Sequence, residues 1–128
     1  MESALAVHNT LIRQLILVYR GWEVKTEGDA FMIAFGETAN AVRFCLATQI
    51  QLIQAPWPDK LLALEDCSVV RSHVTPTNLI FRGFRVRMGI HTGARAMLLA
   101  CGCLSVARLP GGPCAVVNSP GGVFDDSV

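Results

Sequence analysis

Glu23-Val24-Lys25-Thr26-Glu27-Gly28-Asp29-Ala30-Phe31-Met32 reads as two strand-like runs meeting at a glycine. Trp22, Val24 and Thr26 alternate with Glu23, Lys25 and Glu27, the period of a half-buried strand. Glu27-Gly28-Asp29 carries turn chemistry, since Gly28 tolerates positive φ and an aspartate bonds nearby backbone N–H groups. Ala30 to Phe35 is apolar on both faces, as a central strand is. The reading is a hairpin with Asp29 at its tip. It offers an ammonium (Lys25) and a metal-binding carboxylate (Asp29) at neighbouring points of one sheet edge.

Upstream of the hairpin, Leu5, Leu11, Ile12, Leu15, Ile16 and Tyr19 recur at helical spacing, which predicts an amphipathic helix over 4–20. Gly21 is placed to end it in a left-handed conformation. Downstream, Gly36 to Asn40 forms a break. Ala41, Val42, Cys45, Leu46, Ile50 and Ile53 then predict a second helix, stopped by Pro56 and Pro58. Residues 55–83 are mixed, with a short helical turn at Leu61, Leu62 and Leu64 and a short strand at Leu79 to Phe81. Phe84, Val86, Met88 and Ile90 predict a strand with one apolar face, followed by a turn at His91. This order implies an α+β sandwich with helices on one face of a sheet.

The pattern changes after Gly93. Pro110-Gly111-Gly112-Pro113 and Pro120-Gly121-Gly122 punctuate short apolar runs without a sustained period. Ala96 to Cys103 reads as a short helix or strand. The expected organisation is a domain over 1–93 and a divergent, weakly structured tail over 94–128.

Composition narrows the functional classes. The chain has 128 residues, 52% hydrophobic and 16% charged, so one domain with a buried core is expected. A net charge of +1 gives no electrostatic basis for binding nucleic acid or a membrane surface. The five cysteines show no C-x-x-C spacing and indicate neither a disulfide framework nor a zinc site. No signal peptide or membrane-spanning run is read, and a cytoplasmic location follows as the expectation.

Three segments together resemble the class III nucleotide cyclases, the adenylyl and guanylyl cyclase catalytic domain. His8-Asn9-Thr10-Leu11-Ile12-Arg13 resembles its first long helix. Glu23 to Phe35 resembles its central hairpin, and Val86-Arg87-Met88-Gly89-Ile90-His91-Thr92-Gly93 its later strand and exit turn. The E-V-K-T-x-G-D form, with Trp57-Pro58 after the next helix, is most similar to adenylyl cyclases of unicellular eukaryotes.

The resemblance implies a ferredoxin-like sandwich, with ATP lying between two paired domains. Two Mg2+ (or Mn2+) ions would serve in-line attack of the ribose 3′-hydroxyl on the α-phosphate, forming cAMP and pyrophosphate in intracellular signalling. Asp29 matches the second metal aspartate, a hard oxygen ligand of the right type. Lys25 matches the adenine-selecting lysine, whose N–H groups suit the N1 acceptor of adenine. Their presence on one chain implies a homodimer, or pairing with another cyclase domain. Arg95 lies near a phosphate-contacting arginine of some members, offset by one. Full-length relatives of this kind are often membrane-anchored.

Other parts of the family pattern are not matched. The first metal aspartate belongs on a strand before the first helix, and no such motif precedes His8. The N-x-x-A-R run expected after Gly93 is absent from 94–128, where Asn118 leads into Ser119-Pro120-Gly121-Gly122. The expectation is a cyclase domain truncated at both ends, from a partial or frameshifted gene and inactive alone. Without a central strand, Phe31, Ile33 and Phe35 would lose partners, giving marginal stability and association.

Plainer roles stand beside these. Asp29 would also stabilise a turn, and Lys25 would also be a solvated strand residue. Arg85 and Arg87 share the polar strand face, exposed or interfacial; His91 makes a structural hydrogen bond; His8 and His73 have no partner pattern. Cys101-Gly102-Cys103 lacks the further ligands a metal site needs. Two alternative functions remain open: a catalytically dead module that pairs with a full-length cyclase, and a small α+β domain with no nucleotide role.

Overall fold

The computed structural model describes residues 2–91 and, as backbone, the strand at 114–120. Helix α1 spans Glu2–Val18, followed by strands β1 (Gly21–Glu27) and β2 (Ala30–Phe35) and helix α2 (Thr38–Gln54). A short helix α3 (Asp59–Leu62) and a 3-10 turn (Glu65–Cys67) lead into β3 (Val70–Arg71) and β4 (Leu79–Phe81). Strands β5 (Val86–His91) and β6 (Cys114–Pro120) complete an α+β arrangement. The main sheet has the order β1-β2-β6-β5, and β3 pairs with β4 in a small sheet of its own.

The core forms where the helices meet β2. Ile12, Leu15 and Ile16 of α1, Ala41 and Phe44 of α2, and Phe31, Ile33 and Phe35 of β2 pack as one buried cluster. The β2 residues alternate, as one face of a strand must. Met32 and Ala34 on its other face are also buried, in keeping with a strand apolar on both sides. A second cluster joins Ala4, Leu52, Ala55, Trp57, Leu61, Cys67 and Val86. The C-terminal end of α2 is held there by side chains. The Trp57 Nε1–H donates to Leu52 O at 2.6 Å, and the Arg82 guanidinium donates to Ala55 O at 2.6 Å. These serve carbonyls that a helix end leaves without partners.

Several expectations change. Gly21 does not end α1 in a left-handed conformation; Arg20 does, at φ 56°. Gly21 is instead the first residue of β1, where an added Cβ would lie 2.7 Å from the Phe35 ring. Close approach of the ring, not backbone freedom, requires glycine there. The hydrophobic face of α2 is also rotated from the expected one. The buried stripe is Ala41, Phe44, Thr48 and Leu52, whereas Leu46 and Ile50 are 61% and 58% exposed. Thr48 enters the stripe by donating its hydroxyl to Phe44 O at 2.8 Å.

On β1 the alternation runs opposite to its hydropathy from Trp22 to Val24 and returns to the expected phase at Lys25–Glu27. Trp22 is 74% exposed and Val24 also faces outward, while Glu23 is half-buried. A register shift between Glu23 and Lys25 accompanies this pattern. His91 closes β5 rather than lying in a turn.

Phe31, Ile33 and Phe35 do not lack partners, contrary to expectation. Within residues 94–128, Cys114–Pro120 forms a strand that pairs antiparallel with β2 on one side and β5 on the other. Arg95 and Cys101-Gly102-Cys103, with the rest of 92–113 and 121–128, lie outside the described residues. Among the described residues, no helix is long and apolar enough to cross a membrane.

Candidate functional site

The β1–β2 hairpin carries the two candidate residues. Its ladder runs from Gly21↔Phe35 to Glu27↔Ala30, leaving Gly28 and Asp29 as the turn. Gly28 adopts φ +61°, a conformation that disfavours any residue with a Cβ. Asp29 is therefore fixed at the tip, partly exposed. Lys25 lies further down β1 with its side chain exposed, and its ammonium forms an ion pair with Glu27. Both partners are open to solvent, so the pair contributes little to stability and exchanges readily.

The hairpin is anchored to α1 from below. Arg13 grips the Glu23 carboxylate through two N–H donors, at 3.0 and 3.1 Å. The Arg13 guanidinium also lies 5.1 Å from the centre of the Phe31 ring. Glu23 accepts a further hydrogen bond from the Thr26 hydroxyl. These contacts, Arg13 foremost, hold the Glu23 carboxyl below the usual carboxylate range. One charged residue of β1 is thereby committed to position, leaving Lys25 and Glu27 facing solvent.

His8 is a member of this region that its sequence context did not single out. It is completely buried on α1, edge-on to Phe31 and to Phe84, with ring centroids 5.9 and 6.0 Å away. Its Nδ1 bonds Asn9 Oδ1 at 2.9 Å, and its Nε2 has no partner among the described residues. Burial pushes its pKa down, opposed by Asn9 and by the Asp29 charge. The signal was present in the spacing, because Ala4, His8, Ile12, Leu15 and Ile16 form the buried stripe of α1.

A divalent ion takes about six oxygen ligands in magnesium sites. Among the described residues, no group of three or more His, Cys, Asp or Glu is placed to hold one. Asp29 alone does not constitute a metal site. What the hairpin does present is one carboxylate at a tip and one exchangeable ammonium on the adjoining strand.

Residues 1–108 match the family model described as the adenylate and guanylate cyclase catalytic domain. An adenylate cyclase of Lachancea kluyveri is 39% identical over 94 residues, covering 73% of this chain and 5% of the relative. That of Mycosarcoma maydis is 44% identical over 93 residues, covering 73% of this chain and 4% of the relative. The receptor-type adenylate cyclase GRESAG 4.3 of Trypanosoma brucei brucei is 35% identical over 108 residues, covering 73% of this chain and 9% of the relative. The chain thus spans a small part of each relative's length. No solved structure gives a significant match. The hairpin, its flanking helices and the match over most of the chain lead to one conclusion: the chain belongs to the adenylate and guanylate cyclase catalytic domain family.

Proposed function

We propose that this chain is an adenylate-cyclase-type nucleotide module, selective for ATP and with little or no turnover by itself. The observation that carries the reading is the placement of Asp29 at the hairpin tip, with Lys25 exposed further down β1. Lys25 would donate to the adenine ring, which has an acceptor at N1 where guanine has a donor. To do so its ammonium exchanges Glu27 for the base. Asp29 would add one carboxylate to a divalent ion shared with the triphosphate, the remaining ligands coming from elsewhere. Among the described residues Asp29 belongs to no group of three or more metal-ligating side chains, in keeping with a need for ligands from elsewhere. The strand order β1-β2-β6-β5, with α1 and α2 packed on one face of β2, supports a ferredoxin-like sandwich.

A second reading concerns pairing. Leu17 and Trp22 are 78% and 74% exposed, and Val18 beside them is exposed as well. Such a patch at the α1–β1 junction favours burial against another surface. A second copy or another cyclase domain fits it, and the chain would then act by supporting or suppressing its partner.

Nucleotide binding with Mg2+ or Mn2+ present tests both readings. ATP binding that is weakened in Lys25→Ala, with pyrophosphate release by a complete cyclase catalytic domain raised or lowered when the chain is mixed with it, supports them. Equal binding of ATP and GTP, or vigorous turnover by the chain alone, contradicts them.

A further inference from the structure

Strand β6 lies outside the 1–108 stretch that the cyclase family model covers, yet it sits inside the main sheet. Its ladders run from Phe31↔Asn118 to Phe35↔Cys114 on the β2 side. On the β5 side they run from Val86↔Pro120 to His91↔Ala115. Among the described residues β5 has no other strand neighbour in the main sheet. One seven-residue segment therefore joins Val86–His91 to the hairpin and saturates an edge of β2. An unfilled slot would leave two rows of backbone N–H and C=O groups unpaired beside the buried Phe31, Ile33 and Phe35.

The way β6 reaches this slot is unusual. Adjacent antiparallel strands are commonly joined by about two to five residues, whereas residues 92–113 separate β5 from β6. Pro110-Gly111-Gly112-Pro113 precedes the strand and Gly121-Gly122 follows it. Its place is set by the ladders on both sides and by its run of apolar residues. Those are the determinants by which a separate extended peptide adds to a sheet.

We propose that the slot between β2 and β5 is a binding site for an extended apolar segment antiparallel to both strands. Its resident ligand is the chain's own Cys114–Pro120 strand, which a separate copy of that segment can replace. The slot selects by backbone pairing and apolar character. This inference concerns the sheet and stands apart from the nucleotide reading.

Hydrogen exchange on the full chain tests it. In the native chain, amides of 86–91 and 114–120 are expected to exchange together, and far more slowly than those of the loop at 72–78. Rapid exchange of 114–120 beside a protected 86–91 would overturn the proposal. A full-length chain carrying Val116→Pro and Val117→Pro lacks ladder N–H groups on both sides of β6. Its 86–91 amides are expected to lose protection at least tenfold, and a synthetic peptide of residues 113–122 is expected to restore it in a saturable way. Unchanged protection in this variant, or protection that the peptide does not restore, would equally overturn the proposal. Should the variant not fold, the same peptide added in excess to the native chain decides: saturable binding with faster exchange of 114–120 and retained protection of 86–91 is expected, and no binding would overturn the proposal.

Discussion

Arg13 on α1 holds Glu23 on β1 through two parallel N–H donors, at 3.0 and 3.1 Å. This contact ties the hairpin that carries Lys25 and Asp29 to the first helix. The pair is partly exposed, at 51% and 31% of the two side chains, so its contribution is limited to about 1 kcal/mol or less. Arg13→Ala should lower the urea midpoint slightly at neutral pH. The Glu23 carboxyl titrates below its ordinary range, so its stabilising effect is present above that range and is lost as pH falls through the depressed value. The difference between wild type and Arg13→Ala should therefore shrink in acid. A difference that grows as pH falls would contradict this role.

His8 predicts a second pH dependence. Its ring is buried neutral, with its pKa pushed down from the ordinary value by desolvation. The unfolded chain binds the proton more readily, so stability is present above about pH 6.5 and declines as pH falls from there toward the depressed value. Denaturant titrations between neutral pH and pH 5 should show this decline. His8→Leu should flatten it, whatever its effect on stability at neutral pH. An unchanged slope in that variant would assign the decline to other groups.

Gly83 faces the indole of Trp57. It holds φ +82°, and an added Cβ would come within 2.1 Å of Trp57 Nε1. Trp57 cannot simply yield, because its N–H is bonded to Leu52 O and its ring packs against Phe84 at 5.1 Å. Gly83→Ala should cost on the order of 2–5 kcal/mol, from backbone strain together with overpacking. Thermal unfolding measures it, and a loss under about 1 kcal/mol would show that this junction relaxes easily.

The rotation of α2 gives a paired prediction. Phe44→Ala empties a fully buried site against Phe35, 5.2 Å away between ring centroids, and should cost about 3–5 kcal/mol. Leu46→Ala, on the exposed side, should change stability by less than about 0.5 kcal/mol. Similar losses at the two positions would contradict the observed face.

The hairpin and the helix–strand order were legible because they rest on local chemistry. Gly28 needs positive φ, Ala30 to Phe35 is continuously apolar, and Pro56 stops α2. The failures share a different cause. Along α2, apolar residues occupy both faces, and the choice between Leu46 and Phe44 is made by packing against β2 and α1. Thr48 disguises the buried stripe because its hydroxyl is satisfied within the helix. At Gly21, the reason for glycine is a ring fourteen positions along the chain, at Phe35. Strand β6 was illegible because its partners lie far away in sequence, at 30–35 and 86–91. Of the candidate site, Lys25 and Asp29 were legible from motif and turn chemistry and His8 from its place in the helical stripe of α1, whereas the Glu23 anchor emerged only from tertiary contacts.

Equilibrium binding of ATP against GTP to the full chain, with Mn2+ present, tests the assignment of Lys25 and Asp29 most directly. ATP should bind in preference to GTP. Lys25→Ala should remove that preference and weaken ATP by about tenfold, the worth of one good hydrogen bond. Asp29→Ala should weaken both nucleotides in the presence of metal and neither in its absence. A chain that binds neither nucleotide, or one whose ATP preference survives Lys25→Ala, would contradict the assignment.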